Sequence, residues 1–358
     1  MADQRLNLVG DELQALLPVS PDAYPQNVDL IRDLVLVIRL DANTYRAASF
    51  LDDRVLGRST KGAWLPAANV TEAAGQIADP RPLHFIFHTG HVGSTLVSRL
   101  LDETGFVLSL REPLPFRAIA DVHDALSLPE SLLNEQQFGA LLDMNLRLWA
   151  RGYDWTRAVI VKATSSAGRV AGPVLESRPQ SRSIYLNLRA EPYLATLLAG
   201  NKSEADLRGQ GPGRMRRLLG RSPVAPAPLH RLSSGELAAL GWLVETMSQQ
   251  DALRRFPERV LAVDFEDLLA NVTDGMDRIL GHFGLLRDAQ FLAGLGASPA
   301  LTRYSKAPDL PFPPGARAEL LKESRRHNRE EIIKGMAWLE RLARADDSLA
   351  AIAGPRKI

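Results

Sequence analysis

The residues best suited to chemistry lie between positions 84 and 105, HFIFHTGHVGSTLVSRLLDETG. The short run Phe85-Ile86-Phe87 is too brief for a helix and aromatic enough for a buried strand. Gly90-His91-Val92-Gly93-Ser94-Thr95 follows. Leu96, Val97, Leu100 and Leu101 then recur at helical spacing, with Gly105 as a stop. Strand, glycine turn and helix make an anion cradle: the glycines let backbone N–H groups close on an oxyanion, and the helix start adds free donors and partial positive charge. Ser94 and Thr95 add hydroxyls where a phosphate would sit. The bland alternative is an ordinary tight turn. The loop is not a Walker A sequence, which needs four residues between its glycines and then Lys; here two separate Gly90 from Gly93 and no Lys follows.

The elements that must position this loop read as alternating strands and helices. Strands are expected at Phe106–Leu110, Ala158–Val161, Ser183–Leu188 and Val260–Val263. Helices are expected over 117–152, from about Pro192 to Gly200, and from a capping box at Ser233 and Glu236 to about Phe256. A long basic helix closes the chain, with Ile332, Ile333, Met336 and Leu339 facing inward. The pattern predicts an α/β, three-layer fold with a central, mainly parallel sheet. Ligands bind past the carboxyl ends of such strands, and His91, Glu112, Lys162 and Arg189 all fall just past predicted strand ends. Residues 1–80, with a strand at Leu34–Ile38, form a small N-terminal extension that packs on the core or on a partner. Residues 81–345 form the main domain, and 346–358 a C-terminal tail. Residues 201–232 hold seven basic residues against two acidic ones, with four glycines and four prolines. They are expected to be a loop, either a linker or a lid. Residues 299–315 are Pro-rich and expected to be irregular.

Composition narrows the field. The 358 residues are 45% hydrophobic, enough for a sizeable core, and the formal net charge is +1. That charge offers no global attraction for nucleic acid or anionic lipid. The absence of cysteine excludes a disulfide scaffold, thiolate chemistry and a Cys-ligated metal. No signal peptide and no run of membrane-spanning length is apparent, so a cytoplasmic protein without membrane insertion is the default.

The first loop resembles the 5′-phosphosulfate loop of the sulfotransferases, whose cytosolic members carry a Pro-Lys-Ser-Gly-Thr-Thr type sequence and whose membrane and bacterial members often have Arg in the Lys place. Gly93-Ser94-Thr95 match its Gly-Thr-Thr end, and His91 falls at the Lys or Arg. Further segments are similar in order over roughly residues 82–345. Arg189 matches the strand-end Arg of the 3′-phosphate segment, where Thr196 is the nearest hydroxyl to the family's Ser. The Val263–Leu269 run resembles the Tyr-Glu-Asp-Leu-Leu signature, with Phe265 in the Tyr place and Glu266 able to anchor a basic residue. Lys162 and Glu112 fall where some members have a Lys and a catalytic Glu. Arg303, Ser305 and Lys306 resemble the late basic segment that closes over the nucleotide.

The resemblance implies 3′-phosphoadenosine 5′-phosphosulfate as co-substrate, no metal, and sulfuryl transfer to an acceptor hydroxyl or amine on a small molecule, peptide or saccharide. Gly90, His91, Val92, Gly93, Ser94 and Thr95 would hold the 5′-phosphate. His91 and Lys162 would flank the bridging oxygen, and Glu112 or His91 would take the acceptor's proton. Two alternatives stay open: a nucleotide-dependent kinase on a related fold, and an adenine-nucleotide-binding protein without catalysis. A homo-oligomer is left open too.

Overall fold

The computed structural model describes residues 2–200, 203–224, 226–313 and 315–353. Three short strands come first: β1 (Ala23–Asp29), β2 (Leu34–Arg39) and β3 (Gly62–Pro66). They form an antiparallel sheet of their own in the order β1-β2-β3. The central sheet is built from β4 (Leu83–His88), β5 (Val107–Arg111), β6 (Ala158–Lys162), β7 (Ser183–Asn187) and β8 (Val260–Asp264). Its order is β5-β6-β4-β7-β8, and every pairing is parallel. A late hairpin, β9 (Arg303–Tyr304) with β10 (Ala307–Pro311), completes the strands.

Side-chain alternation explains why the central sheet is covered on both faces. Phe85, Phe87, Leu108, Leu110, Val159, Val161 and Tyr185 enter one core, with the N-terminal sheet and the helices Leu114–Ala125 and Glu135–Trp149. Ile86, Val107, Ile160, Ile184 and Leu186 enter the other, with the helices Ser94–Asp102, Ala190–Leu198, Ser234–Arg255, Val272–Phe283 and Arg329–Ala345. Phe85 and Phe87 are wholly buried, each worth about 2–3 kcal/mol in transfer from water. From β4 the chain runs to one side, to β5 and β6, and then to β7 and β8 on the other. The turn after β4 therefore sits where the strand order reverses, the place where such sheets open a crevice.

The N-terminal extension packs on the core. Arg151, buried at the end of the Glu135–Trp149 helix, donates to the carbonyls of Leu17 at 2.8 Å, Ser20 at 2.6 Å and Ala23 at 2.7 Å. The segment after β2 reaches the central sheet as well. Leu51 N–H donates to the Arg111 carbonyl at 2.7 Å, and the Arg111 guanidinium donates to the carbonyls of Tyr45 at 3.0 Å and Ala48 at 2.9 Å.

Several expectations need correction. The stretch 201–232 is mostly not a loop: Ser203–Leu219 is a helix carrying Pro212 within it. Tertiary packing overrides its glycines and prolines. Leu207 and Leu218 are buried, and Arg214 and Arg217 pair with the buried Glu245 of the Ser234–Arg255 helix. Positions 201, 202 and 225 fall outside the described residues. The expected helix over 117–152 is two helices, broken at 126–134. The irregular 299–315 stretch contains the β9–β10 hairpin. In the closing helix Ile332 and Leu339 are buried, but Ile333 is exposed. The expected tail is in part a helix, Asp347–Ala353, with Leu349 fully buried; positions 354–358 of that tail lie outside the described residues.

Candidate active site

The turn between β4 and the Ser94–Asp102 helix takes three positive φ angles: 103° at Gly90, 54° at His91 and 71° at Gly93. Gly93 is the helix N-cap. Phe265, the first residue of the helix after β8, occupies the space a side chain there would need: a Cβ on Gly93 would lie 1.9 Å from its ring. The Phe265 run resembling a family signature thus packs against the loop. The root of the turn is pinned from the β7 side. Thr89 N–H donates to Leu186 O at 3.1 Å, Thr89 Oγ1 donates to Asn187 Oδ1 at 3.1 Å, and the Tyr193 hydroxyl donates to Thr89 O at 3.2 Å.

Beyond that root the donors are free. Among the described residues, the backbone N–H groups of His91 through Leu96 find no acceptor. The Thr95 hydroxyl is buried without a hydrogen-bond partner. Buried polar groups are nearly always satisfied, so an orphan here points to an outside acceptor. Ser94 is buried beside it.

Glu112 and Lys162 stand at the ends of the neighbouring strands β5 and β6. Their side chains form an ion pair, with Lys162 1% exposed and Glu112 13% exposed. Burial lowers the Lys162 pKa, and the Glu112 carboxylate pulls it back up in part. Glu112 has φ 54°. Of the three non-glycine residues with positive φ among the described residues, two, His91 and Glu112, are at this rim; Asp33 lies in the β1–β2 turn. Such strain persists where the surroundings over-determine it, as at functional sites. Phe50, from the N-terminal layer, is also here. Its ring centre is 5.8 Å from Lys162 Nζ and 3.3 Å from the Arg54 guanidinium carbon.

His91 projects from the turn with its ring exposed. Its pKa is nonetheless lowered to about 4, first by the protein packed round it and next by the Lys306 charge. The exposed ring tempers the first cause. The direction stands on the cations and on the helix N-terminus, which all disfavour an imidazolium.

Arg189 caps the Ala190–Leu198 helix and is largely exposed, 3.3 Å from Glu266. Arg317 reaches the other oxygen of Glu266 at 3.4 Å, and one of its terminal nitrogens is buried without a partner. Two guanidiniums on one carboxylate leave an excess positive charge. The other candidates are dispersed. Thr196 Oγ1 donates to Pro192 O at 2.7 Å, so its proton is committed to its own helix. Arg303 is exposed and donates to Pro308 O at 3.2 Å, and the Ser305 carbonyl accepts from Arg99 Nε at 2.8 Å. Both line a cavity of about 470 Å³ near the far end of the loop helix, with Arg46, Asp102 and Glu103. Of that segment only Lys306 bears on the rim, where its charge acts on His91, His88 and Lys162.

Sequence reading missed His88, Tyr193, Phe50, Arg54 and Arg317. Only His88, two residues before Gly90, had a signal in its position. Among the described residues there is no group of three or more His, Asp or Glu placed to hold a metal ion, and no helix is long and apolar enough to cross a membrane.

No family model and no curated protein matches the chain. Solved structures do. It is similar to the sulfotransferase domain from the curacin biosynthetic pathway, at 16% identity and a TM-score of 0.40, over 69% of this chain and 91% of that one. It is similar to a retinol dehydratase solved with androsterone and the inactive cofactor PAP, at 12% identity and a TM-score of 0.41, over 94% and 95%. A sulfotransferase from Mycobacterium avium matches at 13% identity and a TM-score of 0.39, over 91% and 96%.

Proposed function

We propose that the protein is a sulfotransferase that uses 3′-phosphoadenosine 5′-phosphosulfate and an acceptor hydroxyl or amine. One observation carries this reading: a loop of unpaired donors, including the buried Thr95 hydroxyl, shares its rim with the buried Lys162–Glu112 pair while having no Lys of its own. The residues fit such a donor at both ends. The loop N–H groups with Ser94 and Thr95 would take the 5′-phosphate. Arg189 and Arg317, with their surplus charge around Glu266, would take the 3′-phosphate, since guanidinium grips phosphate bidentately.

When bound, the donor supplies the sulfuryl group that moves to the acceptor, breaking its S–O bond to phosphate as a new S–O or S–N bond forms. Lys162 and the loop N–H groups stabilise the charge left on the phosphate oxygen. Glu112 takes the acceptor's proton on the oxygen not paired with Lys162. His91, neutral in the free protein, gains positive charge as the anionic donor approaches. As in phosphoryl transfer, most of the work is positioning and electrostatics.

The test is calorimetric binding of adenosine 3′,5′-bisphosphate compared with AMP and with ATP plus Mg²⁺. The bisphosphate should bind far more tightly than AMP and without Mg²⁺. Equal affinity for bisphosphate and AMP would sink the reading, because the 3′-phosphate would have no receptor.

A further inference from the structure

An imidazole joins the loop to the strand that carries Lys162. His88 is the last residue of β4 and is 5% exposed. Its Nδ1 lies 3.1 Å from the Gly90 backbone nitrogen, and its Nε2 lies 2.9 Å from the Ala163 carbonyl oxygen. A backbone N–H can only donate, and a carbonyl can only accept. Nδ1 must therefore be the bare nitrogen and Nε2 must carry the hydrogen. The two contacts together select one neutral tautomer. A second ring proton would face the Gly90 N–H donor to donor.

The groups joined in this way matter. Gly90 opens the turn at φ 103° and hands on to His91 at φ 54°. Ala163 directly follows Lys162. The other pins at the loop root run to β7 and the helix after it, whereas the imidazole spans from the loop to the β6 side. We propose that His88 is a positioning residue: its neutral Nε2–H form holds Gly90 in the turn and sets the loop's free donors against Lys162. This rests on the reading of the loop as a donor site. The surroundings favour the neutral ring. Burial lowers its pKa most, and Lys162 on β6, Lys306 of the hairpin and His91 of the loop act in the same direction; the Ala163 carbonyl opposes them.

Three substitutions separate the two hydrogen bonds. His88→Asn places a side-chain oxygen near Nδ1 and can still accept from Gly90. His88→Gln carries an amide nitrogen towards Ala163 but gives Gly90 no acceptor. His88→Phe keeps the ring and loses both. Calorimetry with adenosine 3′,5′-bisphosphate should find the Asn variant within about threefold of the parent, and the Gln and Phe variants weakened by about tenfold or more. Parent-like binding by Gln and Phe would overturn the proposal. So would losses that track each variant's thermal midpoint rather than the bond it keeps. A second measurement needs no nucleotide. Nitrogen-15 shifts of His88 in the full chain should show a bare Nδ1 and a protonated Nε2 from about pH 8 to pH 5.5, with the Gly90 amide protected from exchange. An Nδ1–H tautomer, or a proton gained in that range, overturns it. If the parent binds no bisphosphate, the functional reading fails, and the tautomer and the Gly90 protection alone decide the role of His88.

Discussion

Glu112 and Lys162 meet twice, once as a side-chain ion pair and once through the backbone, where the Glu112 N–H donates to the Lys162 carbonyl at 2.7 Å. The second contact fixes the first. It continues the β5–β6 ladder one residue past Arg111, and from there the positive φ of Glu112 turns its side chain back over the strand end. Glu112→Gln keeps the shape and removes the base. The expected outcome is bisphosphate affinity close to the parent's, with single-turnover transfer to a screened hydroxyl acceptor reduced by about a hundredfold or more. Parent-like turnover would take the proton away from Glu112. Lys162→Met should also destabilise the fold, by about 2–3 kcal/mol in a urea melt, because it leaves a mostly buried carboxylate unpaired.

Arg189 tests the other end of the donor. It is 74% exposed, and its contact with Glu266 is long, so Arg189→Ala should move stability by no more than about 0.5 kcal/mol. Its affinity for adenosine 3′,5′-bisphosphate should fall by about 2 kcal/mol, with AMP binding nearly unchanged. A parallel loss for both nucleotides would mean that Arg189 does not face the extra phosphate.

Gly93 and Phe265 make a steric pair. An alanine at position 93 meets the Phe265 ring at 1.9 Å and must hold φ 71°. Gly93→Ala is expected to cost about 2 kcal/mol or more. Phe265→Ala removes the obstacle but leaves the φ penalty and a cavity. The double variant should thus be more stable than the sum of the single losses predicts, a coupling that thermal or urea melts can read. Simple additivity would show that the ring does not set the turn.

Glu245 links the Ser203–Leu219 helix to the core. It is fully buried; burial alone would raise its pKa, but Arg217 and Arg214 overrule it and hold the carboxyl below its ordinary value. A depressed carboxylate contributes stability above its unfolded pKa and loses it as pH falls through the folded one. The cluster should therefore stabilise fully above the ordinary glutamate range and lose that contribution as pH falls below it. Glu245→Ala should cost about 3 kcal/mol at neutral pH. Glu245→Gln should flatten the acid limb of the stability curve. An unchanged limb would assign acid unfolding to other carboxylates.

The central sheet was legible because its strands are short, near-continuous apolar runs that end in polar residues, as strands buried on both faces must be: Phe85-Ile86-Phe87, Leu108 to Leu110, Val159 to Val161 and Ile184 to Leu186 all became strands. The loop was legible because its glycines and hydroxyls sit between a strand and a helix. The helix at 203–219 was hidden, since its composition favours a loop and the groups it packs on, Glu245 among them, lie far along the chain. Phe50, Arg54 and Arg317 were hidden likewise, as only tertiary packing carries them to the rim. The late basic segment was legible only as a segment: its fold sets Arg303 and Ser305 at the cavity beside Asp102 and Glu103, while the Lys306 charge is felt at His91.

His91 decides how a loop without Lys or Arg could work. In the free protein its pKa is lowered to about 4, by the surrounding protein and then by Lys306, so at pH 7 it is neutral. An anionic donor beside it should raise that value. Binding then takes up a proton wherever the pH lies between the free and the bound pKa. Donor affinity should rise as pH falls through the bound value and level off below the free one. His91→Lys, already charged at neutral pH, should flatten this dependence. If His91 acts only through its charge, the variant keeps substantial transfer and loses the pH limb that the parent shows. If His91 is the base, the variant is nearly inactive while Glu112→Gln still turns over. Single-turnover transfer for both variants across a pH series separates the two, and we expect the first outcome. Turnover like the parent's in both would remove each of them from the chemistry and leave the transfer to other groups of the rim.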